Sequence, residues 1–180
     1  MPEIDTGMGM KNAKPSGARP EIDCYMDGCC EPVNPGGTAA YGAVVFIEGE
    51  RVWETSKVFK PKPGHERETS NNVAEYLGFI AVLEYLLQQR LNGKVIRISS
   101  DSRLVINQMF PRHGRTWKIR AGLYVPHAHR ARKLLKKFPR TYGRWIPRDD
   151  NEIADELSKR ELKRAGVEFR LQPEENDDDD

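Results

Sequence analysis

Four acidic residues, Asp27, Glu75, Asp101 and Asp155, are distinctive in this 180-residue chain because each falls near an end of a predicted strand or helix. They lie 48, 26 and 54 residues apart, so no local rule groups them. A tertiary fold could. Strands ending at Asp27 and Asp101 can lie side by side, and helices packed over them can carry Glu75 and Asp155 to the same place. Carboxylates crowded into one pocket repel and raise each other's pKa. Hard divalent cations relieve that repulsion, and Mg²⁺ in particular takes oxygen ligands while keeping waters or phosphates in its shell. Two such ions, ~3.5 to 4 Å apart, can clamp the attacking and leaving oxygens of a phosphodiester. Glu75 also has a simpler reading, because a carboxylate near a helix start gains ~0.3 to 1 kcal/mol from the macrodipole.

The elements that must position these acids are legible as patterns. "EIDCYMDG" alternates Ile22, Cys24 and Met26 with polar residues, a strand that is expected to stop at Gly28. "TAAYGAVVFI" and "RVWETSKVF", joined by "EGE", read as a hairpin, giving three strands in an antiparallel meander. "ETSNNVAEYLGFIAVLEYLLQQ" is an amphipathic helix over about 71 to 90, with Thr69 or Ser70 as cap, an apolar face of Phe79, Ile80, Leu83, Leu86 and Leu87, and "LNG" as its stop. A β-branched strand "KVIRISSDS", a short helix "RLVINQMF" ended by Pro111, a helix "HAHRARKLLKKF" and a strand "TYGRWI" come next. "DDNEIADELSKRELKRAG" is the final helix, with Asp149, Asp150 or Asn151 as cap and Gly166 near its end. The order β-β-β-α-β-α-α-β-α describes a mixed α/β sheet covered by helices.

Charge is unevenly spread. Residues 172–180, "QPEENDDDD", hold six acids and no Lys or Arg, leaving the first 171 residues with 29 basic against 21 acidic side chains, a net of +8. No acid occurs between Ser102 and Arg148, while residues 112–144 hold eleven Lys and Arg, among them Lys118, Arg120, Lys133 and Lys136. Such a segment is the footprint of a polyanionic partner. Cys24, Cys29 and Cys30 fit a reducing compartment and strand or turn positions better than a disulfide framework or a zinc site. No apolar run approaches the ~20 residues that span a bilayer, and the first twenty residues lack an apolar signal region. A cytoplasmic protein is expected. Its divisions are a loose tail over 1–20, a catalytic domain over 21–168 and an acidic tail over 169–180.

Together, "YMDG", "TSNNVAEY", "ISSDS" and "WIPRDDNEIADELS", in this order and spacing, resemble the ribonuclease H type 1 family over roughly residues 22–165. The resemblance implies a ribonuclease H-like fold with a five-stranded mixed sheet, three antiparallel strands then two parallel, flanked by helices. It also implies endonucleolytic cutting of the RNA strand of RNA–DNA hybrids with two Mg²⁺ (or Mn²⁺) ions, leaving 3′-hydroxyl and 5′-phosphate ends. By motif, Asp27, Glu75, Asp101 and Asp155 become the metal-binding and catalytic carboxylates, Asp155 standing four residues after Asn151.

Asn71 and Asn72 resemble the asparagine pair that contacts the hybrid's minor groove, and Asn34 in "EPVNPGG" resembles the asparagine of the family's first loop. An amide suits this work because it donates and accepts at once, to a 2′-hydroxyl and a base edge. Thr69 or Ser70 is expected to hold a DNA phosphate, Trp117 beside Lys118 to form the channel wall, and Gly28, Ser102 and Asn151 to lie on the substrate side. For Trp117 a place in the core is the alternative.

The chain departs from many bacterial members in a shorter basic segment and in having Pro147-Arg148 where they carry a histidine before the last helix. Arg148 is an auxiliary candidate, a fixed cation for a phosphate or a surface partner of Asp149 and Asp150. Double-stranded RNA is an open second substrate. The competing functions are a non-catalytic hybrid or double-stranded RNA binder, against which the presence of all four acids argues, and a DNA nuclease of the same superfamily, against which the asparagine pair argues.

Overall fold

The alternating apolar residues Ile22, Cys24 and Met26 place β1 (Ile22–Glu31) at the centre of a five-stranded sheet. The computed structural model describes residues 19–170, so the expected tail up to residue 18 and the acidic stretch from residue 171 lie outside the described residues. The meander forms as expected. β1 pairs antiparallel with β2 (Thr38–Ile47), which pairs antiparallel with β3 (Glu50–Val58). The hairpin loop shrinks to Glu48 and Gly49, both with positive φ (53° and 83°), as the twist of a two-residue β-turn demands. On its other edge β1 pairs in parallel with β4 (Ile96–Ser100), and β4 with β5 (Thr141–Trp145), giving the order β3-β2-β1-β4-β5.

One boundary differs in a way that matters for the site. The first strand does not stop at Gly28. It runs on through Cys29 and Cys30, which pair with Ala40 and Ala39 of β2, so both cysteines are strand residues. The parallel ladder with β4, however, ends at the Tyr25–Ser99 pair. Asp27 therefore sits within a strand that has lost one neighbour, and the sheet opens there into a notch.

The helices divide between the two faces. α1 (Asn71–Gln88), α2 (Arg103–Met109) and α3 (Val125–Leu135) enclose the main core, in which Cys24, Met26, Ile96 and Ile98 meet Tyr76, Phe79, Leu83 and Leu86 of α1. α4 (Glu152–Arg164), entered through a 3₁₀ turn at Arg148–Asn151, packs on β1, β2 and β3 from the other side. Of the two expected caps of α1, Ser70 serves, its hydroxyl accepting from Val73 N at 3.1 Å. The end of α1 uses Arg90 rather than "LNG". Arg90 takes the left-handed conformation (φ 56°), and Arg90 N and Leu91 N donate to the carbonyls of Leu87 and Leu86. Gly166 plays that part for α4, with φ 70°. Past it the chain stays attached. Val167 and Phe169 pack beside Cys29, Ala40 and Leu162, and Arg170 bonds Glu31, so the packed unit passes the expected boundary at 168 by two residues.

Two glycines set how closely the helices reach the notch. A Cβ on Gly28 would lie 2.3 Å from Glu75 N, and one on Gly42, the partner of Asp27 in β2, would lie 2.4 Å from Ser158 N. Both obstacles are backbone, so α1 and α4 would have to retreat. Gly28→Ala and Gly42→Ala should each lower stability by about 1 to 3 kcal/mol, seen as a lower denaturant midpoint. Gly93→Ala, in open space, should leave the midpoint almost unchanged. Equal midpoints for all three would refute the close-approach account.

Candidate active site

The notch gathers all four acids, each from a different element. Asp27 projects from β1, Glu75 from the second turn of α1, Asp101 from just beyond β4 and Asp155 from the start of α4. Glu75 neither caps nor occupies the first turn of α1, so the macrodipole does not account for it. Three neutral side chains hold three of the carboxylates in place. Ser102 Oγ donates to Glu75 Oε2 at 2.5 Å while capping α2 by accepting from Val105 N. Asn151 uses both amide hydrogens, one to Met26 O at 3.1 Å and one to Asp101 Oδ1 at 3.0 Å. Ser158 Oγ lies 2.8 Å from both Asp27 Oδ2 and the Asp155 carbonyl. A hydroxyl has one hydrogen, so both contacts are hydrogen bonds at once only when a protonated Asp27 donates to Ser158. The fourth acid is held by cations: Asp155 accepts from Arg148 Nη2 at 2.9 Å and from Lys159 Nζ at 2.6 Å.

The electrostatics mark the four as one cluster. Burial, then the charge of Asp101, and further that of Asp155, push Asp27 up to about 7, with Ser158 opposing. Burial also pushes Glu75 up to about 8, the Ser102 hydrogen bond opposing and Asp27 and Asp101 adding to it. Each shift is first the cost of burying a charge and second the presence of neighbouring carboxylates. An all-oxygen, anionic donor set is what a hard divalent ion requires, so Asp27, Glu75, Asp101 and Asp155 fit such a group chemically. The cage is not preassembled. Among the described residues no three carboxylate, imidazole or thiol groups converge tightly enough to enclose an ion, and Asp155 would have to release Arg148 or Lys159. The three cysteines are free and buried, and burial raises their thiols, against ligation as thiolates.

Around the notch the expected substrate-side residues divide. Asn34, in the exposed β1–β2 loop, accepts from Asn71 N through Oδ1 at 3.0 Å, and Ser70 and Asn72 are their neighbours at the start of α1. Asn71 Oδ1 is buried without a partner, an acceptor still to be satisfied. Gly28 lies beneath Glu75 as spacing rather than as a contact. Thr69 does not fit its expected role, because it is 2 % exposed and its hydroxyl donates to Gly37 O at 2.6 Å. Ser70 keeps a free hydroxyl hydrogen. Asn151 is also 2 % exposed and does not face outward, because its Nδ2 hydrogens go inward to Met26 O and Asp101 Oδ1; its Oδ1, the atom that would cap α4, is buried and accepts no hydrogen bond among the described residues. Ser102 is likewise an internal tie. Trp117 is 52 % exposed, which rules out the core alternative, and Lys118 beside it is exposed too. Arg148 pairs with Asp155, not with Asp149 or Asp150.

The basic segment does not form one surface. Trp117 and Lys118 are tied to α2 through Trp117 N to Asn107 O and Gln108 Nε2 to Lys118 O. Lys137 and Arg140 lie instead where β4 and β5 begin, Arg140 O accepting from Ile96 N, at the end of the sheet away from the notch. Several functional positions have no clear mark in the sequence. Ser158 and Lys159 stand three and four residues after Asp155, a helical spacing that could have flagged them. Trp145, which donates to Asp101 O at 3.0 Å beneath the Arg103 guanidinium 4.1 Å from its ring centre, carried no such signal. A concavity of about 400 Å³ beside Tyr25, Phe46 and residues 149–154 lies on the α4 face and excludes the four acids. The acids gather instead where β1 has lost β4 as a neighbour.

Residues 25–161 match the family described as reverse transcriptase-like. The bifunctional protein Rv2228c of Mycobacterium tuberculosis is 34 % identical over 125 residues, 69 % of this chain, which spans only 31 % of that relative's length. In structure, the N-terminal RNase H domain of Rv2228c is similar at 30 % identity and a TM-score of 0.66, covering 82 % of this chain and 97 % of that domain. RNase H1 of the halophilic archaeon Halobacterium salinarum is similar at 29 % identity and a TM-score of 0.65 (79 % and 98 % covered). LC11-RNase H1, isolated from compost by a metagenomic approach and solved in complex with an RNA/DNA hybrid, is similar at 28 % identity and a TM-score of 0.67 (80 % and 98 % covered).

The raised acids make stability depend on pH. Asp27 and Glu75 have ordinary values of 3.8 and 4.5, so each binds its proton more tightly folded than unfolded. Their contribution is present below those ordinary values and is lost as pH rises through about 7 and 8. With a chelator present, the melting temperature should fall as pH rises from about 5 to 9, and Glu75→Gln should flatten that slope. Parallel profiles for the two proteins would contradict the assignment of strain to Glu75.

Proposed function

The chain belongs to the ribonuclease H type 1 family, and from that premise we propose that it is an endoribonuclease that cuts the RNA strand of RNA–DNA hybrids. The observation that carries this reading is the meeting of Asp27, Glu75, Asp101 and Asp155 in one open notch, with Asn34, Asn71 and Asn72 gathered at the start of α1, which also carries Glu75. The hybrid-bound structure of the similar LC11-RNase H1 supports the choice of substrate. No described helix is long and apolar enough to cross a membrane.

The four carboxylates would hold two Mg²⁺ or Mn²⁺ ions, which when bound supply Lewis-acid stabilisation of the attacking water and the leaving 3′-oxygen. The chain's own groups orient and select. Ser102, Asn151 and Ser158 orient Glu75, Asp101 and Asp27 before any ligand arrives, so the reorganisation on binding falls mainly on Asp155, which must leave Arg148 or Lys159. The exposed amide of Asn72, beside Asn71 and Asn34, can donate to and accept from a 2′-hydroxyl of the RNA strand, a group that DNA lacks. Ser70 can donate to a phosphate of the other strand, and the exposed Trp117 and Lys118, held on α2, offer that strand an aromatic face and a cation. Attack in this arrangement leaves 3′-hydroxyl and 5′-phosphate ends.

Arg148 stays protonated at any working pH and cannot shuttle a proton as a histidine could. Released from Asp155, it offers a fixed positive charge to the scissile or departing phosphate.

The test is cleavage of end-labelled RNA–DNA hybrid, double-stranded RNA and double-stranded DNA, each with and without Mg²⁺. Cutting of the hybrid's RNA strand only with Mg²⁺ is expected. Asp101→Asn should abolish it without lowering the melting temperature, because an asparagine Oδ1 still accepts from Asn151 while the charge that raises Asp27 and Glu75 is removed. Full activity of that variant, or equal cutting of double-stranded DNA, would overturn the reading. Arg148→Ala should slow turnover with little change in hybrid affinity, and an unchanged rate would reduce Arg148 to a partner of Asp155.

A further inference from the structure

We propose that the acidic segment after Arg170 docks on the basic surface beside the notch and competes there with the phosphates of the substrate. The inference rests on the proposed hybrid binding for what is displaced, but not for the docking itself. Its starting point is an anchor. Arg170 donates through N and Nε to Glu31 Oε2, each at 3.0 Å, and through Nη2 to the Cys30 carbonyl at 3.0 Å, while Phe169 packs against the cluster of Cys29, Ala40 and Leu162. The chain is thus pinned at the end of β1, directly before the loop that carries Asn34.

Beyond Arg170 the sequence reads "LQPEENDDDD", six acids with no Lys or Arg. At up to ~3.3 to 3.6 Å per residue, Glu174 can reach about 14 Å from the anchor and Asp180 about 35 Å. Basic groups lie within that compass. Cys30, whose carbonyl Arg170 holds, shares a cluster with Phe59, and the segment after Phe59 carries exposed Lys60, Lys62 and Arg67, with Glu66 turned back on Gly64 N and Glu68 on His65, before Thr69 O accepts from Gly36 N. Phe59 also meets His127 of α3 edge-on, 5.7 Å between centres, and Gln108 joins the Lys118 carbonyl to the Tyr124 hydroxyl just before α3. None of Lys60, Lys62, Arg67, Lys118 and Arg120 forms an ion pair among the described residues. The largest surplus of negative charge in the sequence therefore follows within a few residues of an anchor near Lys60, and these cations have no ion-pair partner among the described residues. At so short a tether its effective concentration is high, and the attraction, being between exposed charges, must weaken with salt.

The experiment uses the intact chain in two arms. Zero-length carbodiimide crosslinking at low salt, read by mass spectrometry, should join the acids of residues 174–180 to Lys60, Lys62 or Lys118 within one chain, and not to Lys136 or Lys137 at the far end of the sheet. Heparin or high salt should abolish these links. A variant with Glu174 and Glu175 changed to Gln and Asp177, Asp178, Asp179 and Asp180 changed to Asn should show a several-fold lower KM for hybrid at low salt, unchanged kcat, and no advantage at high salt. Crosslinks scattered over all lysines, or found only between chains, would overturn docking. Specific crosslinks with an unchanged KM would overturn competition. Specific crosslinks in a chain that cuts no hybrid would instead remove the proposed ribonuclease activity and leave the docking standing.

Discussion

Bringing four carboxylates together, two of them with their pKa raised by burial, is the constraint around which this fold is arranged. Each of Asp27, Glu75, Asp101 and Asp155 comes from a different element, so the cost is borne by the tertiary structure as a whole and not by any local turn. The sheet accommodates it by letting the β1–β4 ladder end at Tyr25 and Ser99 while β1 continues with β2 alone. Gly28 and Gly42 then let a helix from each face come close enough to deliver Glu75 and Ser158. The main core under α1 can offset the local cost because it lies on the far side of these contacts, among Tyr76, Phe79, Leu83 and Leu86.

The same economy appears in the polar ties. Ser102 caps α2 and fixes Glu75. Asn151 bridges the entry of α4 to the backbone of β1 and to Asp101. Each tie joins two elements and orients one acid, so fold stability and site geometry rest on shared hydrogen bonds. Asp155 differs in being held by Arg148 and Lys159. It is the acid whose neighbourhood must change most when a competing cation binds.

Much of this was legible in the sequence because it depends on periodicity. Alternation marked the meander, the 3.6-residue stripe marked α1, and the four acids fell near element ends. The features that were not legible depend on partners far away in the chain. "DGCCEPVNPGG" begins like a turn, and only pairing with Ala39 and Ala40 keeps it extended to Glu31. Thr69 and Asn151 have the residue types of a phosphate donor and a helix cap, but Gly37 O claims the Thr69 hydrogen, and the bonds from Asn151 Nδ2 to Met26 O and Asp101 Oδ1 turn that side chain toward β1 and leave its Oδ1 off the start of α4. Trp145 supports Asp101 through an indole N–H that no sequence spacing relates to it.

If the four acids form one cation site before any nucleic acid arrives, the chain alone must bind the ion. Calorimetric titration of Mg²⁺ into the nucleic-acid-free chain and into its Glu75→Gln variant tests this most directly. Saturable binding by the intact chain, with a marked loss of affinity in the variant, is the expected result. Identical isotherms for the two proteins, or no saturable binding by either, would contradict the account.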